Sequence, residues 1–367
     1  MKHSNPIIFL LIILILSCPA TAQKQTAKTA VIAYYAGRPT TIDSFDVRQV
    51  THLIFSFGHL KGNELYISNA RDTLTIQNLV AQKTKNPELK IMLSLGGWGG
   101  CKDCSDVFST KKGRKEFSKS VKELLDYFDA DGIDLDWEYP AIEGYPGHTY
   151  KPEDKDNFTA LVKMLRKKLG RKKIISFAAG GFTTFLEQSI DWKKVMKYTN
   201  FVNLMTYDLT NGASKVTGHH TPLYSSAGQK ESGDNAIKYL LSAGIPANQL
   251  VLGAAFYGRA FDSVQNINNG LFQPGRFKSY LPSRSFDEAL SLSDSSGYTY
   301  YWDDSAKAPY YYNPATQTFV TFEDKQSIAL KTRYAVENKL YGIMFWQLTE
   351  DKFQSGLLQS INNELNK

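Results

Sequence analysis

Asp134, Asp136 and Glu138 recur at every second position of Asp131-Gly132-Ile133-Asp134-Leu135-Asp136-Trp137-Glu138-Tyr139-Pro140. Successive side chains of an extended strand point to opposite faces. The three acids therefore share one face, and Ile133, Leu135 and Trp137 share the other. Same-face neighbours lie about 6.7 Å apart. Carboxylates in such a row repel one another when ionised, so at least one is expected to hold a proton near neutral pH. A carboxyl group kept protonated is what a general acid requires. The bland alternative is an edge strand with a solvated acidic face. Gly132 at its start, Trp137 on its back and Pro140 just after Glu138 argue against that.

Apolar segments recur along the chain in the manner of barrel or sheet strands. They are Val31–Tyr35, Thr51–Gly58, Lys90–Gly97, Asp131–Glu138, Lys173–Gly180, Phe201–Asp208, Leu250–Gly258 and Gly342–Leu348. Between them, apolar residues at helical spacing predict helices over Lys112–Phe128, Asp154–Leu169, Asp234–Ala243 and Ser327–Glu337. Strands alternating with helices define an α/β chain, here a (β/α)8 TIM barrel. A doubly wound sheet is the alternative, and no Gly-rich phosphate loop supports it. About 65 residues separate Gly258 from the helix near Asp324, far beyond an ordinary loop. Their runs Tyr298–Trp302, Tyr310–Tyr312 and Thr318–Phe322 predict a small α+β insertion between the seventh and eighth strands. The expected organisation is a leader over residues 1–22, barrel strands 1–7 over 23–260, the insertion over 261–322, and the last helix and strand over 323–367.

Barrel chemistry sits at the carboxyl ends of the strands. There the chain places Tyr34, Phe57, Ser94-Leu-Gly-Gly97-Trp98, Met205-Thr-Tyr207-Asp208, Tyr257-Gly-Arg259 and Trp346. Any one of these aromatics is first a core candidate. Their recurrence around the acids points to a groove with flat apolar walls, suited to sugar rings.

The formal charge is +7, which raises the question of nucleic acid. No nucleic-acid module is present, and the basic run Arg166–Lys173 fits a solvated helix end. Lys2 and His3, the apolar run Ile7–Leu16 and the small residues Ala20-Thr21-Ala22 compose an export leader that cleavage would end before Gln23. The run is too short for a comfortable membrane span. Ile15-Leu16-Ser17-Cys18 loosely resembles a lipobox, so a lipid anchor at Cys18 is the rival. Export permits disulfides, and Cys101-x-x-Cys104 is expected to staple a loop. The six His show no ligand spacing, so neither metal nor cofactor is expected.

The sequence Asp131-x-x-Asp134-x-Asp136-x-Glu138 resembles the catalytic signature of glycoside hydrolase family 18, the family of many chitinases. Ser94-x-Gly96-Gly97, Met205-Thr206-Tyr207-Asp208, Tyr257-Gly258-Arg259 and Trp346 reinforce the resemblance, which runs from about Val31 to Leu348. It implies retaining cleavage of β-1,4 links beside N-acetylglucosamine, with the substrate's own acetamide as nucleophile. By that resemblance Glu138 is the acid and then the base, and Asp136 orients the acetamide. Asp134 shares a proton with Asp136, and Tyr207 donates to the acetamide oxygen. Trp346 is the apolar floor, while Tyr34, Phe57, Gly97, Trp98, Met205, Asp208, Tyr257 and Arg259 line the groove. The implied protein is a secreted or periplasmic chitinase, monomeric by default, acting on chitin or chito-oligosaccharides. With no carbohydrate-binding module recognised beside the barrel, soluble fragments are the favoured substrate. A glycosidase cutting the core of N-glycans and a sugar-binding lectin are the rivals.

Overall fold

In Ala30–Tyr35 (β1) all six residues are buried. That is the mark of a strand with core on both faces. Val31, Ala33 and Tyr35 face the layer between sheet and helices, while Ala30, Ile32 and Tyr34 face inward. The computed structural model describes Met1 and residues 28–283 and 297–367. The expected leader, Cys18 included, lies outside the described residues.

The chain continues with His52–Lys61 (β2), Lys90–Gly96 (β3), Gly132–Asp136 (β4), Ile174–Gly180 (β5), Phe201–Met205 (β6), Leu250–Ala255 (β7) and Gly342–Trp346 (β8). Each strand pairs in parallel with the next, and β1 pairs with both β2 and β8. The sheet therefore closes on itself as a (β/α)8 barrel.

Helices wrap it with one apolar stripe each. Asp154–Leu169 buries Phe158, Leu161, Val162, Leu165 and Leu169, the spacing of a single helix face. Lys111–Phe128 starts where Thr110 accepts a hydrogen bond from the Gly113 N–H. Lys325–Glu337 starts at a capping box between Asp324 and Ser327. Both begin slightly before the expected positions, because a cap precedes the first apolar residue of its helix.

After Ala255 the chain exchanges its partners. Tyr257–Asp262 leaves the barrel and pairs antiparallel with Arg276–Pro282 and Thr318–Thr321. With Ala308–Asn313 and Thr299–Asp303 it completes a five-stranded antiparallel sheet. Tyr257 and Arg259, expected at the end of the seventh barrel strand, thus stand on the first strand of this lobe. The lobe has its own core of Phe261, Val264, Leu271, Tyr310, Tyr312 and Phe319. A buried pair of Lys331 and Glu323 fastens the following helix, and Lys331 Nζ also donates to the Thr221 carbonyl at 2.6 Å. Among the described residues no helix is long and apolar enough to cross a membrane.

Candidate active site

β4 points Asp134 and Asp136 into the barrel, while Ile133 and Leu135 join the outer core. The strand was expected to reach Glu138 but ends at Asp136, because its neighbour β3 ends opposite, with Gly96 paired to Asp136. Gly96 has φ +110°, and Gly97 N–H donates to the Asp136 carbonyl at 2.9 Å. The alternation nonetheless survives the end of the ladder. Trp137 is buried against Phe108 and Phe158 in the outer core, with ring centroids at 5.6 and 6.2 Å. Glu138 therefore stays on the side of the acids, 8% exposed.

A Cβ on Gly96 would fall 2.1 Å from the Asp136 carbonyl oxygen. Gly96→Ala is expected to destabilise the protein by about 2–3 kcal/mol through the clash and the left-handed backbone. Urea unfolding checks this as a lowered midpoint.

The acids sit in unlike surroundings. The Asp134 carboxylate accepts from Ser94 Oγ at 2.9 Å, Ser176 Oγ at 2.6 Å, Tyr34 Oη at 3.0 Å and Asn203 Nδ2 at 3.2 Å. Burial raises its pKa, and these donors pull it back. Asp136 has no such set, and its Oδ1 is buried with no hydrogen-bond donor on it. Burial first, then the charges of Glu138 and Asp134, raise its pKa well above the usual carboxylate range. Glu138 is pushed up to about 7 by burial, with a hydrogen bond from Tyr139 holding it back and the charge of Asp208 adding. Mutual repulsion was expected to keep a proton on the row. It contributes at Asp136, but loss of solvation is the larger cause for each acid.

An acid of this kind works while protonated. Activity is expected to fall as pH rises through about 7. The alkaline limb of a kcat/KM profile measures it, and a profile flat to pH 9 would remove Glu138 as the acid.

The remaining strand ends build the walls. Phe57 and Trp346 stack at 5.5 Å and 11°, and Trp346 lies 5.9 Å from Tyr34. A Cβ on Gly97 would meet the Phe57 ring at 2.4 Å, so glycine lets the two strand ends close up. Tyr34 is only 1% exposed and bonds Asp134, so it supports the acids from beneath. Met205, Tyr207 and Tyr257 are buried in the inner cluster against Trp346. Burial and the surrounding acids raise the Tyr207 pKa well above its usual value, which keeps its hydroxyl a donor.

Asp208, at φ +58°, pairs with Arg259 at 2.5 Å. Burial pushes its pKa up, but the Arg259 guanidinium and the His220 ring, its Nδ1 3.8 Å away, prevail and hold it below the usual range. Trp98 is 59% exposed, with Tyr145 edge-on at 5.4 Å. Cys101 and Cys104, bonded to each other just beyond Trp98, have Cα atoms 5.2 Å apart. Among the described residues no group of His, Cys, Asp and Glu is arranged to hold a metal ion.

Ser176, Asn203, Tyr139 and His220 were not among the expected site residues. Ser176 and Asn203 left a trace in the sequence. Each is one polar residue at an inward position of an otherwise apolar strand, Ile174-Ile-Ser176-Phe and Phe201-Val-Asn203-Leu.

A closed barrel with buried carboxylates at the end of β4 and aromatic walls around them defines a glycosidase-type site. Residues 30–351 match the model of glycosyl hydrolases family 18, and the chain belongs to that family. It is 35% identical over 300 residues to Chitinase A1 of Niallia circulans, covering 76% of this chain and 43% of that protein. It is 31% identical over 350 residues to Chitotriosidase-1 of Mus musculus, covering 88% of this chain and 73% of that one. Among solved structures, a family 18 N-acetylglucosaminidase from Paenibacillus barengoltzii superposes with a TM-score of 0.83 at 32% identity, covering 92% of this chain and 100% of that one. The chain thus spans less than half the length of the Niallia relative.

Proposed function

We propose that the protein is an exported chitinase that hydrolyses β-1,4 links between N-acetylglucosamine units with retention, using the substrate's acetamide as nucleophile. The observation that carries this reading is the pairing of a buried Glu138, its pKa pushed up to about 7, with an Asp136 whose Oδ1 is buried and without a donor. Such an oxygen is ready to accept an acetamide N–H, which would turn the carbonyl oxygen toward C1.

In the forward step Glu138 gives its proton to the leaving oxygen as the acetamide oxygen bonds C1. Asp136 passes its proton to Asp134, with which the resemblance has it share one, and the carboxylate so formed stabilises the oxazolinium cation. The Tyr207 hydroxyl donates to the acetamide oxygen and fixes its direction. Glu138, now ionised, takes a proton from water, which opens the oxazolinium and restores both groups. Asp134, ringed by donors, tunes Asp136 from beneath. Phe57 and Trp346 supply the apolar floor, and Trp98, Asp208, Tyr257 and Arg259 the walls.

The test is the product profile from a chitin hexamer, with fresh products examined by NMR. Initial β-anomer supports retention, and α-anomer would overturn it. Product length separates internal cleavage from stepwise release of N-acetylglucosamine, the reading that the Paenibacillus likeness favours. Saturable binding without cleavage would indicate a lectin, and cleavage of a glycoprotein in place of chitin an N-glycan enzyme. Trp346→Ala is expected to raise KM about tenfold, the worth of one lost apolar face. Unchanged kinetics would remove Trp346 from the site. The mature N-terminus, read by mass spectrometry, separates a chain beginning at Gln23 from one lipid-anchored at Cys18.

A further inference from the structure

The net positive charge of the chain has no use toward a neutral polysaccharide, and the structure shows where part of it collects. Parallel strands place all their starts at one end of the barrel and the acids of β4 at the other. The run Arg166–Lys173 leads into β5, and Lys193–Lys197 leads into β6, so both lie at the end remote from the acids. Arg166 ties the two segments together, donating to the carbonyls of Gly170, Lys173 and Tyr198 and to Asn200 Oδ1. Around this anchor Lys167, Lys168, Arg171, Lys172, Lys193 and Lys197 are exposed. None of the six has an anionic partner among the described residues, unlike nearby Lys194, which pairs with Asp191 at 2.9 Å.

β1 also starts at this end, at Ala30. The apolar run Ile7–Leu16 precedes that start by only 13 residues. Fully extended they reach about 45 Å. A chain held at a membrane through lipid on Cys18, the rival to cleavage before Gln23, would keep this basic end nearest the headgroups.

We propose that the basic end formed by residues 166–173 and 193–197 docks on an anionic phospholipid surface, leaving the acid-lined end of the barrel turned outward to substrate. Lysine and arginine clusters beside a membrane attachment point are drawn to anionic headgroups, and salt weakens the attraction. This inference does not depend on the reaction assigned to the acids.

The experiment is sedimentation of the full chain with vesicles of phosphatidylcholine alone and with phosphatidylglycerol added. Any contribution of the apolar run is present in both, so the difference isolates charge. Expected is binding at least about tenfold tighter to the anionic vesicles in dilute buffer, largely lost at about 0.5 M salt. The variant Lys167→Glu/Lys168→Glu/Arg171→Glu/Lys172→Glu should lose that preference while keeping its Tm and its hydrolysis of soluble chito-oligomers. Equal binding to both vesicles, or an unchanged preference in the variant, overturns the proposal. Retention on heparin without vesicle preference also overturns it, and would point to an anionic polysaccharide.

Discussion

Glu138→Gln is expected to bind chito-oligomers as the wild type does and to turn them over about 10²–10⁴-fold more slowly. The substitution keeps shape and hydrogen-bonding capacity at a site only 8% exposed. It removes the one thing the first step needs, a proton that can leave. Because burial pushes the Glu138 pKa up to about 7, the acid is largely neutral in the folded protein below about pH 6. A neutral amide in its place therefore introduces no charge change that would unfold the chain.

Stability gives an independent reading. A carboxyl group whose folded pKa is raised stabilises the fold below its unfolded pKa, about 4.3. That contribution is lost as pH rises through about 7. The amide has no such loss, so the variant should be the more stable of the two above pH 7. Calorimetric titration with the hexamer, turnover, and Tm against pH together test the assignment. Near-normal turnover in the variant would sink it.

Asp136→Asn is expected to lower kcat about 10²–10³-fold, the range for removing one preorganised electrostatic partner of a transition state. Two losses combine. The amide carries no charge to set against the oxazolinium cation, and one of its two positions offers N–H where an acceptor is needed. A second readout separates this role from simple misfolding. The charge of Glu138 helps to raise the pKa of Asp136, and such repulsion between carboxylates is mutual. Removing Asp136 should make Glu138 easier to ionise and move the alkaline limb of the residual activity to lower pH. An unmoved limb with intact activity would show that the two acids do not share a site.

Much of this arrangement is local and therefore legible along the chain. Alternation of acids with Ile133, Leu135 and Trp137 is a two-residue period that needs no partner to be recognised, and it persists beyond the end of the strand. Helix Asp154–Leu169 follows from its apolar spacing in the same way. Other features depend on residues distant in sequence. Ser94, Ser176 and Asn203 reach Asp134 from β3, β5 and β6. Only closure of the barrel brings them together, so no local window could contain them. Tyr34 was expected to line the groove, yet its hydroxyl turns down onto Asp134 from β1, one hundred residues away in sequence.

The boundary at Ala255 was misjudged for a related reason. Leu250–Gly258 is one continuous apolar run, and nothing in its composition marks where barrel partners give way to those of the lobe sheet. Strand identity there is decided by pairing.

The sequence by itself determined which residue types this protein has for chemistry, which of them share a face, and the order of strands and helices that carries them. Those properties follow from covalent spacing and side-chain period. The tertiary structure alone decided how the acids differ: four donors converge on Asp134, Asp136 is left with a donorless oxygen, and Glu138 rises to about 7. The physical reason is that ionisation depends on burial and on the polar groups of neighbouring strands. These are set by the closed barrel and not by any stretch of chain.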